Sequence, residues 1–244
     1  MGDSMSLTLA EWLLATVVLL VGTIIQGSVG FGVALLGAPV LFWIDPGLVP
    51  GPMLIVGMAL PFLILVRERR SLDVRGVRWA VPGQLSGAAV AALVLAEISN
   101  QGLSLIFGLL VLFAVALSAF AGAPKPTPGR LLAAGSMSGF MATATSIGGP
   151  PLALVYQAAP GGRLRATLSA IFVVGGFGSL TALAWIGRFG MEEFLAGLSL
   201  LPGVLAGFWL SGYTARALDR AWLRPAVLAV SAVAGAAAVA DAVW

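Results

Sequence analysis

Apolar runs alternate with short polar breaks along the whole chain. The first run extends from about Trp12 to Ile25. A glycine-rich break follows, Gln26-Gly-Ser-Val-Gly-Phe-Gly32, and then a shorter run from Val33 to Ile44. Asp45-Pro-Gly-Leu-Val-Pro-Gly51 predicts a turn, because its prolines and glycines cannot continue a helix. Pro52 to Val66 is the next run, closed by the most charged segment of the chain, 67–78. Trp79 to Ala96 and Gly102 to Ala121 predict two full-length spans, and the proline-rich stretch after them predicts a linker.

The pattern then recurs. Leu131 to Ala142 leads into a second break, Thr143-Ala-Thr-Ser-Ile-Gly-Gly-Pro-Pro151, followed by a short arm from Pro150 to Ala159. Gly161-Gly-Arg-Leu-Arg165 predicts a turn, and three further spans complete the chain. Val81-Pro-Gly-Gln-Leu-Ser-Gly87 matches Leu201-Pro-Gly-Val-Leu-Ala-Gly207 at an offset of 120 residues, and Gly30-Phe-Gly32 matches Ile147-Gly-Gly149 at 117. One register with a small drift links both motifs, so an internal duplication is expected. Residues 1–122 form the first repeat, with a hairpin at about 8–44 and helices at about 50–66, 79–96 and 102–121. A linker spans 123–130. Residues 131–244 form the second repeat, with a hairpin at about 131–159 and helices at about 167–187, 194–212 and 224–243.

Composition identifies the solvent. Only 9% of the 244 residues are charged and 59% are hydrophobic, whereas a soluble domain carries about 25% charge. Helices apolar on every face belong in lipid. The chain has no Cys and no His, which excludes thiol chemistry, Cys/His metal sites and Ser-His-Asp catalysis. The start of the chain lacks a basic region and a small-residue cleavage motif, so its first apolar run is expected to be a retained helix. Trp12, Trp43, Trp79, Trp185 and Trp244 sit near run ends, as interfacial anchors do.

The basic residues choose between two topologies. If each broken segment crosses once, the 13 Lys and Arg divide eight to five between the two sides. If each goes in and returns, they divide twelve to one. The second arrangement follows the positive-inside rule. It puts the Arg-rich loops in the cytoplasm and the N-terminus outside, and it inverts the second half relative to the first. The expected fold is therefore an all-α integral membrane protein of two inverted repeats, each a broken, re-entrant hairpin followed by three transmembrane helices. Val33–Ile44 spans roughly 18 Å of helix, too short for a hydrocarbon core of about 30 Å. Inverted repeats with interrupted helices are a transporter architecture, and the interrupted segments point to the binding site.

No Lys or Arg lies inside a predicted span, so an anion bound there needs backbone N–H groups, hydroxyls and amides. A helix start supplies unpaired N–H groups and about half a positive charge. The two breaks are expected to face each other and hold the anion between them; the candidate ligands at the first are Gln26, Gly27, Ser28, Gly30, Phe31 and Gly32. At the second they are Thr143, Thr145, Ser146, Gly148, Gly149 and Pro150, with Tyr156 on the following arm and Gln84 within a span. The glycines are expected to allow close approach and positive φ, and Pro150 suits a first helical turn. The competing role of small residues in membrane helices is close packing, and Gly83, Gly87, Gly203 and Gly207 are assigned to it. No carboxylate is central, so a midplane proton relay is not expected.

Gly27-Ser-Val-Gly-Phe-Gly with Ala38-Pro39, and Ser146-Ile-Gly-Gly-Pro-Pro, resemble the two glycine-rich breaks of the TauE/SafE sulfite exporter family. The resemblance runs from about Leu9 to Val243. Many members carry Gly-Gly-Gly followed by Pro at both breaks, where this chain has Gly-Phe-Gly and Gly-Gly-Pro-Pro. The resemblance implies a secondary transporter in a bacterial-type inner membrane, not an enzyme. It implies export of sulfite, sulfoacetate or another organosulfonate by alternating access, with no cofactor and no bound metal. A channel or uptake carrier for another small ion or solute is the alternative. The expected partners are a small anionic substrate and the lipid bilayer, with a homodimer left open and no nucleic acid.

Overall fold

A computed structural model of the protein describes residues 7–29, 33–119, 124–214 and 220–243. Ten α-helices account for most of them: α1 (Leu9–Val29), α2 (Val33–Ile44), α3 (Gly51–Glu68), α4 (Val74–Glu97), α5 (Asn100–Ala119), α6 (Pro128–Thr145), α7 (Gly149–Tyr156), α8 (Gly161–Trp185), α9 (Met191–Thr214) and α10 (Arg220–Val243). Seven segments among the described residues are long and apolar enough to cross a membrane. The chain is an all-α, multi-pass membrane protein.

Several helix ends differ from the sequence expectation, each for a local reason. The charged stretch 74–78 is helical rather than loop, because Asp73 caps α4 through Oδ1, which accepts the Gly76 N–H at 3.1 Å. Helix α8 starts at Gly161, so the expected turn Gly161–Arg165 is its first turn, and the segment to Thr167 is helical too. Helix α6 begins at Pro128, with Thr127 Oγ1 accepting the Arg130 N–H, which shortens the linker. Both long arms also run into the segments expected to be broken. Helix α1 continues through Gln26 to Val29 and α6 through Thr143 to Thr145. Thr143 and Thr145 stay helical by hydrogen-bonding back to the carbonyls of Gly139 and Met141, both at 2.8 Å.

The long helices meet at glycines. A Cβ built on Gly83 or Gly87 of α4 would collide with the backbone carbonyls of Leu132 or Ser136, and one on Gly135 or Gly139 of α6 with those of Ala80 or Gln84. The register rises together on both helices, so α4 and α6 run parallel with their backbones in contact. The α1–α9 pair repeats the arrangement. Cβ positions at Gly203 and Gly207 fall 2.6 Å from Thr16 O and Leu20 O. The Pro-Gly-x-x-x-Gly motif shared by Pro82 and Pro202 is thus a packing seam at both places, as small residues in membrane helices provide.

Other contacts exchange in the same way. Helix α3 packs on α9 as α8 packs on α4, α10 on α2 as α5 on α7, and α1 on α2 as α6 on α7, while α3–α8 and α5–α10 pair with each other. Helix α3 runs parallel to α9, since Gly51 meets Glu193 and Gly197 meets Ile55. Helix α1 therefore runs parallel to α3, and α2 must be the returning arm of a hairpin. By the same argument α6 runs parallel to α8 and α7 returns. Antiparallel contact of α3 with α8, Met58 against Gly176 and Ser71 against Gly162, makes α1 and α6 run in opposite directions. The starts of α4, α6 and α8, with Arg75, Arg78, Arg130, Arg163 and Arg165, lie at one end of the bundle. Arg188, between α8 and α9, lies at the other.

The short arm α2 carries Pro39, which has no N–H to give the carbonyl of Leu35. Ser231 of α10 fills that vacancy, its Oγ donating to Leu35 O at 2.7 Å. One buried cluster joins Val33, Leu35 and Ala38 of α2 with Phe107 and Val111 of α5, and with Met141 and Ile147 beside the second break. Phe42 and Phe107 stack within it, ring centroids 4.2 Å apart.

Candidate functional site

The second break is short and tightly held. Ser146 ends α6 in the left-handed conformation, φ 62°, with its N–H on Ala142 O. Neither Gly148 nor Gly149 has positive φ, so the turn expected of the glycines is made by the serine. Ser146 Oγ donates to Pro50 O at 2.9 Å, fixing the break to the start of α3. Thr145 Oγ1 accepts the N–H of Ile147 at 3.2 Å. The chain then folds back so that Gly148 lies against α6. A Cβ there would be 2.7 Å from Ala142 Cβ and 2.8 Å from Ser138 O. Gly148 is therefore demanded by close approach of two backbone segments.

Gly149, the next residue, is different. A Cβ built on it meets nothing within 4 Å, although Ile147, Gly148, Pro150 and Pro151 around it are buried. A side chain at the first residue of α7 would thus meet no packed neighbour. No acceptor among the described residues takes the N–H of Gly148 or Gly149. Pro150 and Pro151 have no N–H. The helix start therefore offers two amides, fewer than a helix without prolines would.

Gln84, the eleventh residue of the 24-residue α4, reaches this break through a serine. Ser138 Oγ lies 2.6 Å from Gly148 O and 3.2 Å from Gln84 Oε1. A hydroxyl has one proton, and the shorter contact takes it. The pair with Gln84 is then made with the carboxamide turned so that its NH2 faces the serine. Gly175 of α8 leaves the room that the Gln84 side chain fills. Gln84 and Ser138 are both fully buried. Ser138 was not singled out from the sequence. Nor was Ser179 of α8, whose Oγ lies 2.8 Å from Thr143 Oγ1.

The remaining candidates fall in distinct places. The hydroxyls of Thr143, Thr145 and Ser146 are committed to the carbonyls of Gly139, Met141 and Pro50 in this conformation. Tyr156 lies at the far end of α7, its hydroxyl donating to Asp73 Oδ2 at 3.2 Å. Gln26 caps the returning arm at the first break, its Oε1 accepting the Val33 N–H at 3.0 Å. Gln26 and Thr145 thus play matching parts, each a side chain from the last turns of a long arm closing the N–H that follows. Gly27 and Ser28 belong to α1, and Gly30, Phe31 and Gly32 lie outside the described residues.

The family profile described as sulfite exporter TauE/SafE matches residues 14–238, nearly the whole chain and both breaks. No curated protein and no solved structure matches the chain. The chain belongs to the TauE/SafE sulfite exporter family, a family of membrane transporters and not of enzymes.

Proposed function

We propose that this protein is a secondary exporter of a small sulfur-containing anion, sulfite or an organosulfonate such as sulfoacetate. The anion would be held in front of Gly149 at the start of α7. One observation carries the reading: at the start of α7 a side chain on Gly149 would meet no neighbour, and the Gly148 and Gly149 N–H groups have no acceptor among the described residues. The dipole of α7 points its positive end at the same place. Gln84 is joined to the Gly148 carbonyl by two hydrogen bonds through Ser138.

A site without a basic side chain suits release. Two amides and a helix end bind an oxyanion without the strong pairing that an arginine would impose. An inside-negative potential supplies about 2.3 kcal/mol per charge per 100 mV for anion efflux. In this reading residues 1–122 and 131–244 are inverted repeats in the bilayer and the basic loops are cytoplasmic.

The test is counterflow of labelled sulfite and sulfoacetate in proteoliposomes with an imposed potential. Wild type is expected to exchange at least one of them. Gly149→Leu is expected to abolish exchange while leaving the protein folded in the membrane. Folded wild type that moves none of these anions sinks the proposal, and undiminished flux in Gly149→Leu removes the site.

A further inference from the structure

At the basic end of the bundle, residues 68–76 of one half face 156–167 of the other. Asp73 Oδ2 pairs with Arg163 Nη2 at 2.9 Å and accepts from the Tyr156 hydroxyl. The Asp73 N–H donates to Thr167 Oγ1 at 3.1 Å. Glu68 takes Arg165 Nε on both carboxylate oxygens, at 3.1 and 3.0 Å, and Nη2 at 3.0 Å. The Tyr156 hydroxyl occupies the space a side chain on Gly76 would need. All ion pairs between side chains of the described residues involve Glu68 or Asp73. At the opposite end, Arg188 reaches only a backbone carbonyl, that of Ile98.

We propose that this cluster is a latch that shuts the route from the basic end of the bundle to the start of α7. Tyr156 is the last residue of α7 and Gly149 the first, so one rigid helix about 10 Å long joins the latch to the site. Parting 68–76 from 156–167 pulls the far end of α7 and uncovers its flank. Arg163 and Arg165 are about half exposed. Their carboxylate partners Asp73 and Glu68 are 11% and 14% exposed, so each pair closes tightly yet keeps one partner in water, which suits a contact that must hold and then open in every cycle. The inference rests on the transport reading, but its test can be separated from it.

The chain has no cysteine, so introduced thiols are the only ones. A Cβ on Gly162 would be 3.7 Å from Ser71 Cβ, within the roughly 3.5–4.5 Å of disulfides. Ser71→Cys/Gly162→Cys is expected to cross-link on oxidation, to lose anion exchange to the level of empty vesicles, and to recover it on reduction. Each single variant should exchange normally. Undiminished exchange in protein whose disulfide is verified by mass spectrometry overturns the latch. The second measurement needs no substrate. In Gly149→Cys, a membrane-impermeant maleimide is applied from the basic-loop side, with and without Glu68→Gln/Asp73→Asn. The latch predicts faster labelling in the neutralised protein, and an unchanged rate overturns it. If the reduced double-cysteine protein and wild type both exchange no anion, the transport reading fails, and the labelling rates alone decide the latch.

Discussion

Gly148 and Gly149 are adjacent, and the structure predicts opposite consequences for the same substitution. Gly148 sits at φ −92°, ψ −5°, which any L-residue tolerates, so the cost of Gly148→Ala is steric alone. The new methyl would lie 2.7 Å from Ala142 Cβ, against about 3.5–4.0 Å for an ordinary carbon contact. Both near neighbours are backbone or Cβ atoms that cannot rotate away. Relief must push α7 off α6. Overpacking of this kind costs about 1–3 kcal/mol. The shift also stretches the Ser138–Gly148 hydrogen bond, worth about 1 kcal/mol. At Gly149 the added methyl meets nothing, and the change should stay within about 0.5 kcal/mol. With about 2–4 °C per kcal/mol for a chain of this size, Gly148→Ala lowers the melting temperature by about 4–16 °C and Gly149→Ala moves it by no more than about 2 °C. Thermal unfolding of purified protein in detergent reads this, and sulfite exchange reads the second half: Gly149→Ala keeps its stability and slows exchange. Equal melting temperatures for the two variants, or a larger loss at Gly149, would refute the geometry assigned to the break.

The other expectations concern the supports of the site and the ends of the bundle. Gly87→Leu drives a side chain into the Ser136 carbonyl and Gly207→Leu into that of Leu20; each should cost more than about 3 kcal/mol, beyond the usual range of point substitutions, and be seen as loss of folded protein on size-exclusion chromatography. Ser138→Ala leaves Gly148 O and the Gln84 carboxamide without their shared partner, and should lower stability by about 1–3 kcal/mol, with Ser138→Thr restoring part of it. Ser231→Ala leaves the Leu35 carbonyl opposite Pro39 unpaired and should cost a similar amount in the same melting assay. Burial pushes the Asp73 carboxyl up, but the Gly76 N–H, the Arg163 guanidinium and the Tyr156 hydroxyl outweigh it and hold its pKa below the ordinary value. Its stabilisation is therefore complete above the ordinary carboxylate pKa of about 3.9 and is lost only as pH falls through the depressed folded value. The melting difference between wild type and Asp73→Asn should stay constant from neutral pH down to about 5 and shrink below about 4; a difference that disappears near neutrality would contradict it.

The apolar runs made the long helices legible, because a lipid-facing helix needs no polar face and announces itself by length; α2 and α7 were legible only as short runs bounded by glycine and proline. Helix ends were less legible where the chain leaves the apolar layer. Val74–Arg78 and Gly161–Arg165 look like loops in a hydropathy reading, yet they are helical; the Asp73 cap and the Arg163 and Arg165 ion pairs across the interface stabilise these turns. The second break was legible in place and not in extent. Thr143 and Thr145 suggested interruption by residue type, but their hydroxyls bond within the helix. Gly83, Gly87, Gly203 and Gly207, assigned to packing as the default role of small residues in membrane helices, do lie on the seams. Ser138, Ser179 and Ser231 were invisible, since a single serine in a helix carries no local sign of its partner. Pro39 held the one usable hint: it leaves Leu35 O without a donor, so something had to come from another helix.

The glycine seams cross the boundary between the halves. The entering arm of each hairpin is welded to the fourth helix of the other half, α6 to α4 and α1 to α9. Residues 7–119 and 128–243 therefore cannot rock against each other as two blocks, for that would shear both seams. Any moving body must be assembled from pieces of both halves. Severing the chain between α5 and α6 would leave two fragments that each hold the other's missing wall, able to make a whole only by clasping one another.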